Sequence, residues 1–349
     1  MWKALAVTDH AKESIEHIAV FLSEAELRKA QRDTTDARKL IETLGAPPLQ
    51  NVAEIRDILT LAEKGGCLTP QQLEQTGMIL AAIRRLKTYL DRGKIYGSSL
   101  AYYEENLTEH EELREEIYRQ IRNGGVDDHA SGTLRQIREQ IGRCEEQMKQ
   151  KAEQIMRANK TCMADHYYTL RNGRICVPVK KEYKLKISGS VIDKSATGST
   201  LFIEPTSVAK YGEELQMLKI SEENEVYRIL YTLTAMVADA ADPVRENLTL
   251  IEKLDFIFSK GKLSIDLDAA EPQINVERRI SLRDARHPLM DLKTAVPLQF
   301  SPDPDTRGIV ITGPNTGGKT VAIKTVMLCC MMAQCGLHVT CREADICMN

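Results

Sequence analysis

The sequence is poor in aromatic residues and contains no long apolar run. Phe, Trp and Tyr together make up only 5% of its 349 residues, which favours long helices over a β-sandwich. No stretch reaches the roughly 18 uninterrupted apolar residues that a membrane-spanning helix needs, so no membrane association is expected. The first 14 residues mix Lys3, Asp9, Lys12 and Glu13 without an apolar segment, so no secretory signal peptide is predicted.

The cysteines also lack any metal-ligand pattern. None of the nine is part of a C-x-x-C pair, so a metal site is not expected. Without a signal peptide, they are predicted to be reduced and mostly buried thiols of a cytoplasmic protein. Five of them lie near the end of the sequence, at Cys329, Cys330, Cys335, Cys341 and Cys347.

The charge balance excludes a protein that attracts nucleic acid through its overall charge. Forty-seven Lys and Arg residues stand against 50 Asp and Glu residues, which gives a formal net charge of −3. Any contact with nucleic acid must therefore come from a local basic patch.

Two long helices with a small β-element between them are predicted in the middle of the chain. Apolar residues of the first helix follow alternating three- and four-residue steps, interrupted only by Lys151. A second striped helix covers residues 213–240, and strands are predicted at 168–170, 174–179 and 201–203. An antiparallel hairpin of these helices would form an arm roughly 45–50 Å long. The stripe of the first helix consists of Leu134, Ile137, Ile141, Cys144, Met148 and Ile155.

The predicted β-element carries a cluster of basic residues. Charge alone favours a solvated strand face, and the alternative is a set of phosphate contacts at the tip of the arm. The cluster consists of Arg171, Arg174, Lys180, Lys181, Lys184 and Lys186.

The remaining patterns are mainly helical until about residue 272. A strand is then predicted over 274–282, and His287 follows it as a histidine of structural rather than catalytic character. The other predicted helices cover residues 14–44, 52–64, 71–91, 102–122 and 244–260.

A glycine-rich segment near the end fits the phosphate-loop pattern G-x-x-x-x-G-K-[ST]. Residues 307–312 before it read as a buried strand, and residues 321–334 after it read as a buried helix that is apolar on almost all sides. Such a turn directs backbone N–H groups and a helix N-terminus at one anion. Lys319 would reach the β- and γ-phosphates, and the Thr320 hydroxyl would ligate Mg²⁺. The segment consists of Gly313, Pro314, Asn315, Thr316, Gly317, Gly318, Lys319 and Thr320.

This loop, preceded by Arg286-His287-Pro288 and a long helical hairpin, resembles the MutS family of ABC-type ATPases. Further tracts are similar to the second bacterial branch of that family specifically, and the likeness covers nearly the whole chain. These tracts lie at 62–66, 128–131, 171–174, 177–180, 195–198 and 202–205.

The resemblance implies a mostly α fold with an α/β part. A helical core and lever would carry a long antiparallel coiled-coil hairpin with a small β tip, followed by the first half of a P-loop ABC-type ATPase domain. The implied regions are 1–125 for the core and lever, 126–243 for the arm and clamp with its β-element at about 168–205, 244–272 for the return helix, and 273–349 for the ATPase part.

The resemblance also implies ATP and Mg²⁺ as cofactors and a homodimer formed through the ATPase domain. Gly313 to Thr320 would bind the ATP phosphates, and Val296 would lie near the adenine. Members of this branch are associated with branched DNA, suppression of recombination and rescue of stalled ribosomes, so DNA and ribosomal RNA are the implied partners.

Two departures from the family pattern affect this interpretation. The chain starts in the lever region, so recognition of mismatched bases is not implied. It also stops 29 residues after Thr320, before the acidic Walker B strand, the signature loop and the C-terminal endonuclease domain of the family. It is interpreted as a truncated member or a fragment, with no catalytic residue of its own and negligible ATPase activity.

There are two alternatives to an ATP-driven clamp. One is a non-hydrolysing arm that binds nucleic acid. The other is a coiled-coil ATPase of the SMC or Rad type, but such proteins place the phosphate loop before the coil, whereas here it follows the coil.

Overall fold

Helices dominate this computed structural model, which describes residues 1–291, 293–303, 306, 308–314 and 317–348. Within that part of the chain, no helix is both long and apolar enough to cross a membrane. The α-helices are α1 (Asp9–Glu16), α2 (Glu24–Leu44), α3 (Ala53–Glu63), α4 (Pro70–Gly93), α5 (Glu111–Gln120), α6 (Gly132–Ala158), α7 (Thr206–Asp239), α8 (Ala241–Asp266) and α9 (Lys319–Gln334). The strands are β1 (Ile121–Arg122), β2 (Gly125–Val126), β3 (Thr169–Arg171), β4 (Arg174–Lys180), β5 (Gly189–Lys194), β6 (Thr200–Pro205), β7 (Gln273–Asn275), β8 (Ile280–Ala285), β9 (Leu298–Phe300) and β10 (Glu343–Cys347).

The chain divides into two compact units, each built from separate stretches of sequence. Unit 1 consists of Met1–Lys64, Gln75–Arg114 and Val237–Asn349, and unit 2 of Gly65–Glu74 and Glu115–Met236. Unit 1 therefore holds α8, α9 and the sheet around them, whereas unit 2 holds α6, most of α7 and the β-element between them.

In unit 1, α8 packs closely against α2 because one of its residues has no side chain. A Cβ atom on Gly261 would lie 2.8 Å from the backbone nitrogen of Arg38 and 2.9 Å from the Cβ of Ala37. Both distances are shorter than van der Waals contact, and one of the partners is backbone that cannot move aside independently. Glycine at this position therefore sets the spacing of the two helices.

The two helical glycines Gly261 and Gly142 should respond in opposite ways to the same substitution. Gly261→Ala should lower the free energy of unfolding by about 1–3 kcal/mol through overpacking. Gly142→Ala in α6, where nothing lies within 4 Å of the added Cβ, should raise it by about 0.5–1 kcal/mol through helix propensity. Urea denaturation of both variants measures this, and a stabilising Gly261→Ala would show that the helices are not in such close contact.

The sheet of unit 1 mixes parallel and antiparallel pairs. Its strand order is β7-β10-β8-β9, with β10 parallel to β7 and antiparallel to β8. Its apolar side packs on α9 and on Leu27 of α2, with Ile274, Leu282 and Ile346 among the buried contacts. Strand β10 was not predicted from the sequence, and the predicted strand over 274–282 is two strands, β7 and β8, joined by a turn.

In unit 2, side chains of α6 and α7 contact each other with opposite chain directions. Arg138 Nε lies 2.7 Å from Glu222 Oε1, and Cys144 Sγ lies 3.2 Å from the carbonyl oxygen of Tyr211. The residue number rises along α6 while the partner number falls along α7. These contacts show that the two helices run antiparallel.

The apolar stripe of α6 shifts by one residue in its C-terminal half. Met148 is buried as predicted, but Ala152 and Met156 then replace Lys151 and Ile155 as the most buried positions. A 3.6-residue helix drifts relative to a strict seven-residue repeat, and this part of α6 packs on the β-element as well as on the start of α7. The most buried positions therefore shift from the predicted stripe beyond Met148, while Ile155 remains partly buried against the same cluster.

The β-element is a four-stranded antiparallel sheet of order β3-β4-β6-β5. Val177 of β4 and Val191 of β5 both pair with Ile203 of β6, which places β6 between them. Strand β5 was missed in the sequence because only Val191 and Ile192 are apolar among its six residues. The sheet packs on α6 through Val177, Val179 and Ile203.

The long helix predicted over 14–44 is interrupted between α1 and α2. The backbone nitrogen of Phe21 donates to the carbonyl oxygen of Gln334, 3.0 Å away at the end of α9. This backbone contact replaces a helical hydrogen bond, which a local sequence pattern cannot reveal.

The helix predicted over 102–122 is also divided, into a 3-10 helix (Ser99–Asn106) and α5. The side-chain amide of Asn247 accepts from the nitrogen of Thr108 at 3.0 Å and donates to the oxygen of the same residue at 2.8 Å. Since these backbone groups are satisfied by α8, the chain leaves the helix there.

Candidate functional site

The described residues of the predicted phosphate loop lie in a turn that leads into a helix. Gly318 is the N-cap of α9 with φ 76°, a left-handed conformation that favours glycine, and Gly313 has φ 145°. The nitrogen of Gly317 donates to the carbonyl of Pro314 at 3.0 Å. The Lys319 Nζ donates to the carbonyl of Gly313, so the ammonium group lies against the turn that precedes its own helix.

The start of α9 is suited to an anion. Its first turn carries no acidic residue, and its orphan N–H groups and helix dipole favour negative charge. Thr320 is exposed there, where its hydroxyl is available to a metal ion bound with a nucleotide. The other two residues of the predicted loop, Asn315 and Thr316, lie outside the described residues.

The strand predicted over 307–312 is wrong for its described residues 308–312, which form no strand. Val310 is 88% exposed, and Ile309 and Ile311 are about half exposed, at 51% and 42%. A short apolar run becomes a buried strand only where neighbouring strands supply hydrogen bonds, and β10 in this structure pairs with β7 and β8. Ile309 and Ile311 instead line an open groove of about 360 Å³ beside α9 and β9.

The helix predicted after the loop is confirmed, since α9 spans Lys319–Gln334. The predicted burial of this helix on almost all sides is not confirmed. One face is buried through Thr325, Cys329 and Ala333. The opposite face was predicted to be buried as well, and this is wrong. Its exposed apolar residues are Ile323, Met327 and Met331, and Val321 in the first turn of the helix is exposed as well.

The cysteines of α9 are structural thiols. All nine cysteines are free, and seven are buried, as the composition predicts. Burial raises the pKa of Cys330 to about 11, so its thiol stays protonated at neutral pH. The Sγ atoms of Cys341 and Cys329 are 3.7 Å apart, and this hydrogen bond raises the pKa of Cys341.

Val296, the residue predicted near the adenine, lies on the surface, and His287 makes a local contact. Val296 is 87% exposed, so an adenine contact there would need no displacement of protein atoms. The His287 Nδ1 accepts from the nitrogen of Leu289 at 3.3 Å, a local turn contact of the structural kind expected for this histidine.

Two of the six basic residues of the β-element are committed to contacts inside unit 2. Arg174 forms a 2.8 Å ion pair with Glu204, whose residue is only 5% exposed. Arg171 lies 3.7 Å from a carboxylate oxygen of Asp193, and its guanidinium stacks 4.3 Å from the centre of the Phe202 ring. A buried carboxylate without an ion-pair partner destabilises the folded state. The primary role of Arg174 is therefore to stabilise the sheet by pairing with Glu204.

The four lysines are the more available cations. Lys180 donates to the carbonyl of Thr161 at 3.3 Å, and the Lys186 ammonium lies 5.7 Å from the centre of the Tyr183 ring. In the described part of the chain, Lys181 and Lys184 are exposed and have no ion-pair partner. They occupy a 3-10 helix (Lys181–Lys186) between β4 and β5.

Two charged groups of structural importance were not identified from the sequence. Glu204 was not identified as the partner of Arg174, because that pairing depends on the register of β4 and β6. The buried ammonium of Lys260 was also missed, although a lysine that follows the apolar segment Phe256-Ile257-Phe258 was a usable signal.

Comparison with models of known protein families finds no match. Curated relatives, however, align with almost the whole chain. Endonuclease MutS2 of Acetivibrio thermocellus is 37% identical over 346 residues, which are 97% of this chain and 44% of the relative. Proteins of the same name from Geobacillus sp. (strain WCH70) and Bacillus cereus (strain B4264) are 39% and 37% identical over 94% and 97% of this chain, and over 43% and 44% of their own lengths.

The chain thus spans less than half the length of the curated relatives that it matches. The identity extends over the helical regions, the β-element and the candidate phosphate loop together, since the aligned part covers 94–97% of the chain. The chain belongs to the MutS family, in the branch whose curated members are named Endonuclease MutS2.

Proposed function

We propose that this chain is an ATP-binding, clamp-forming part of a MutS-like protein that acts on nucleic acid. The observation that carries the proposal is the glycine turn at the start of α9, with Gly318 in the left-handed conformation and Lys319 folded back onto the turn. Membership of a family whose relatives are named endonucleases supports a nucleic-acid substrate.

In this proposal the residues of the turn bind ATP and Mg²⁺ in distinct ways. The N–H groups at the start of α9 contact phosphate oxygens, and the Lys319 ammonium, now held by one carbonyl, moves to the β- and γ-phosphates. The Thr320 hydroxyl is the Mg²⁺ ligand. The described residues fit this role, because glycines leave room for phosphate close to the backbone and no carboxylate opposes the negative charge.

The arm of α6, α7 and the β-element is the proposed nucleic-acid contact. Its lysines bind phosphates without reading sequence, which suits branched DNA and ribosomal RNA alike. In the longer protein, hydrolysis of ATP between two ATPase domains of a homodimer would move such clamps, and an endonuclease domain would cut the nucleic acid.

Calorimetric titration with Mg·ATP tests the nucleotide half of the proposal. Wild-type chain should bind, and Lys319→Ala should weaken binding by about 10–100-fold, because a charge-assisted contact contributes about 1.5–3 kcal/mol. Lys324→Ala, a surface change one turn further along α9, is the matched control and should bind as the wild type does. Equal affinity of the Lys319→Ala variant, or no binding by the wild type, would contradict the assignment.

The salt dependence of nucleic-acid binding tests the lysines of the β-element. For duplex DNA, Lys181→Ala combined with Lys184→Ala should reduce the slope of log K against log salt by about 1.8, since each phosphate contact contributes about 0.9. The paired change Lys29→Ala and Lys64→Ala, at exposed lysines of unit 1, should leave the slope unchanged. An unchanged slope in the first variant would remove these lysines from the interface.

The same titrations separate the clamp from a non-hydrolysing arm. In the arm alternative, nucleic-acid affinity is identical for wild type and Lys319→Ala, with and without Mg·ATP. In the clamp, Mg·ATP changes the affinity of the wild type but not of the variant. Running the titration on duplex DNA and on a ribosomal RNA fragment shows which of the two is bound more tightly.

A further inference from the structure

A cavity of about 360 Å³ lies in unit 1, away from the candidate phosphate loop. It is open to solvent at one end, and its walls are mainly apolar. It is lined by residues of α1, of the segment that follows α1, and of α8. The lining residues include Ser14, His17, Ile18, Phe21, Phe256 and Lys260.

The amine of Lys260 is buried in this cavity. The residue is only 4% exposed, and its Nζ donates to the carbonyl oxygen of Cys335 at 3.1 Å. The ring centres of Phe256 and Phe21 lie 4.8 Å and 5.7 Å from the Nζ. An ammonium group has three donors, and within the described part of the chain the Cys335 carbonyl is its one hydrogen-bond acceptor.

The surroundings increase the fraction of neutral amine at Lys260. Burial lowers the pKa of Lys260 to about 8, and Cys335 and Asp33 oppose this shift only in part. His17 and Cys335 are the other titratable side chains that line the cavity. At pH 7.5 an amine with this pKa is neutral in about a quarter of the molecules, against about 0.1% for a lysine of ordinary pKa.

We propose that Lys260 is a covalent modification site, acylated by small acyl phosphates that enter this cavity. The neutral Nζ attacks the acyl carbon and forms an amide N–C bond. The C–O bond to the phosphate breaks, inorganic phosphate leaves with the bonding electron pair, and the displaced proton passes to phosphate or water. A cavity of about 360 Å³ admits a reagent as small as acetyl phosphate, whereas a bulky acyl carrier would not fit.

The modification would act on the helix that carries the candidate phosphate loop. Cys335 is the C-cap residue of α9, and the Lys260 ammonium places positive charge at this helix end, where the helix dipole favours a cation. Gly336 follows directly, and a Cβ on it would lie 3.4 Å from the Lys260 Nζ. Acylation removes the charge and adds atoms where little room exists, so it weakens the attachment of α9 to α8.

The test is site-resolved labelling of the intact chain with acetyl phosphate, followed by mass spectrometry over pH 6.5 to 10. At pH 7.5, Lys260 should react about tenfold faster than the exposed lysines, because its greater neutral fraction outweighs the lower nucleophilicity of a weaker base. Its rate should level off above pH about 8–9, whereas the rate at ordinary lysines rises until pH about 10. A slower reaction at Lys260 throughout, or a rate that rises to pH 10, would overturn the proposal.

Ala19→Trp provides a control that leaves Lys260 in place. Ala19 is exposed and lines the cavity, so an indole there should obstruct the opening and slow labelling of Lys260 at least fivefold. Labelling of Lys262, which lies on the same helix and donates to the carbonyl of Leu5, should not change. If Lys260 reacts equally fast in this variant, the reagent does not pass through the cavity and the proposal fails.

Discussion

We expect Asp255→Ala to lower the free energy of unfolding by about 3–5 kcal/mol. Asp255 is fully buried in α8, and its Oδ2 accepts three hydrogen bonds from the N-terminal segment. The donors are the nitrogen of Val7 at 2.8 Å, the nitrogen of Thr8 at 2.7 Å and the hydroxyl of Thr8 at 2.8 Å. Removing the carboxyl group leaves these donors without an acceptor in a site that water reaches poorly.

Urea denaturation of three variants separates this effect from a general loss of charge on α8. Asp266→Ala, at an exposed position near the end of the same helix, should change stability by less than about 0.5 kcal/mol. Asp255→Asn keeps one acceptor oxygen and should fall between the two. A loss below about 1 kcal/mol for Asp255→Ala would show that the N-terminal segment is not anchored at this carboxyl group.

The second large effect is expected at Gly189, the first residue of β5. A Cβ there would lie 2.1 Å from the carbonyl oxygen of Glu204 and 2.8 Å from the Cα of Pro205. Both are backbone atoms of β6, so no side chain can move aside. Gly189→Ala should therefore lower the free energy of unfolding of unit 2 by about 3 kcal/mol through overpacking and loss of strand pairing.

Ser190→Ala is the matched control, since Ser190 is exposed and pairs with Glu204 in the same two strands. Its effect should stay within about 0.5 kcal/mol. Hydrogen exchange should also become faster at residues 189–194 in Gly189→Ala and remain unchanged in Ser190→Ala. If both variants are equally stable, β5 does not approach β6 as closely as described.

The helices could be predicted from the sequence because each has its own periodic pattern. The stripe on α6 and the proline at the start of α4 are local signals, and both helices lie within a few residues of the predicted bounds. The break between α1 and α2 could not be predicted, because it depends on the contact of Phe21 with the distant Gln334. Strand β5 could not be predicted for a related reason. Its own sequence has only two apolar residues, and it is a strand because it forms hydrogen bonds with β6.

In the candidate site, too, local patterns could be predicted from the sequence, whereas features that depend on distant residues could not. The glycines, Lys319 and Thr320 match the phosphate-loop pattern through their spacing, and α9 begins at Lys319, two residues before the predicted start of the helix. The predicted strand over 307–312 was wrong for its described residues because three apolar residues do not make a strand without hydrogen-bonded neighbours. The ion pairs of Arg171 and Arg174 likewise depend on sheet register, so charge alone could not separate these two arginines from the available lysines.

Hydrogen exchange with and without Mg·ATP is the decisive test of the proposed phosphate site, because it reports where the nucleotide binds. Mg·ATP should slow exchange at Gly317, Gly318, Lys319 and Thr320 at least about tenfold in the wild-type chain. No such protection is expected in Lys319→Ala at the same nucleotide concentration. Protection confined to other segments, or equal protection in both proteins, would contradict a phosphate site at the start of α9.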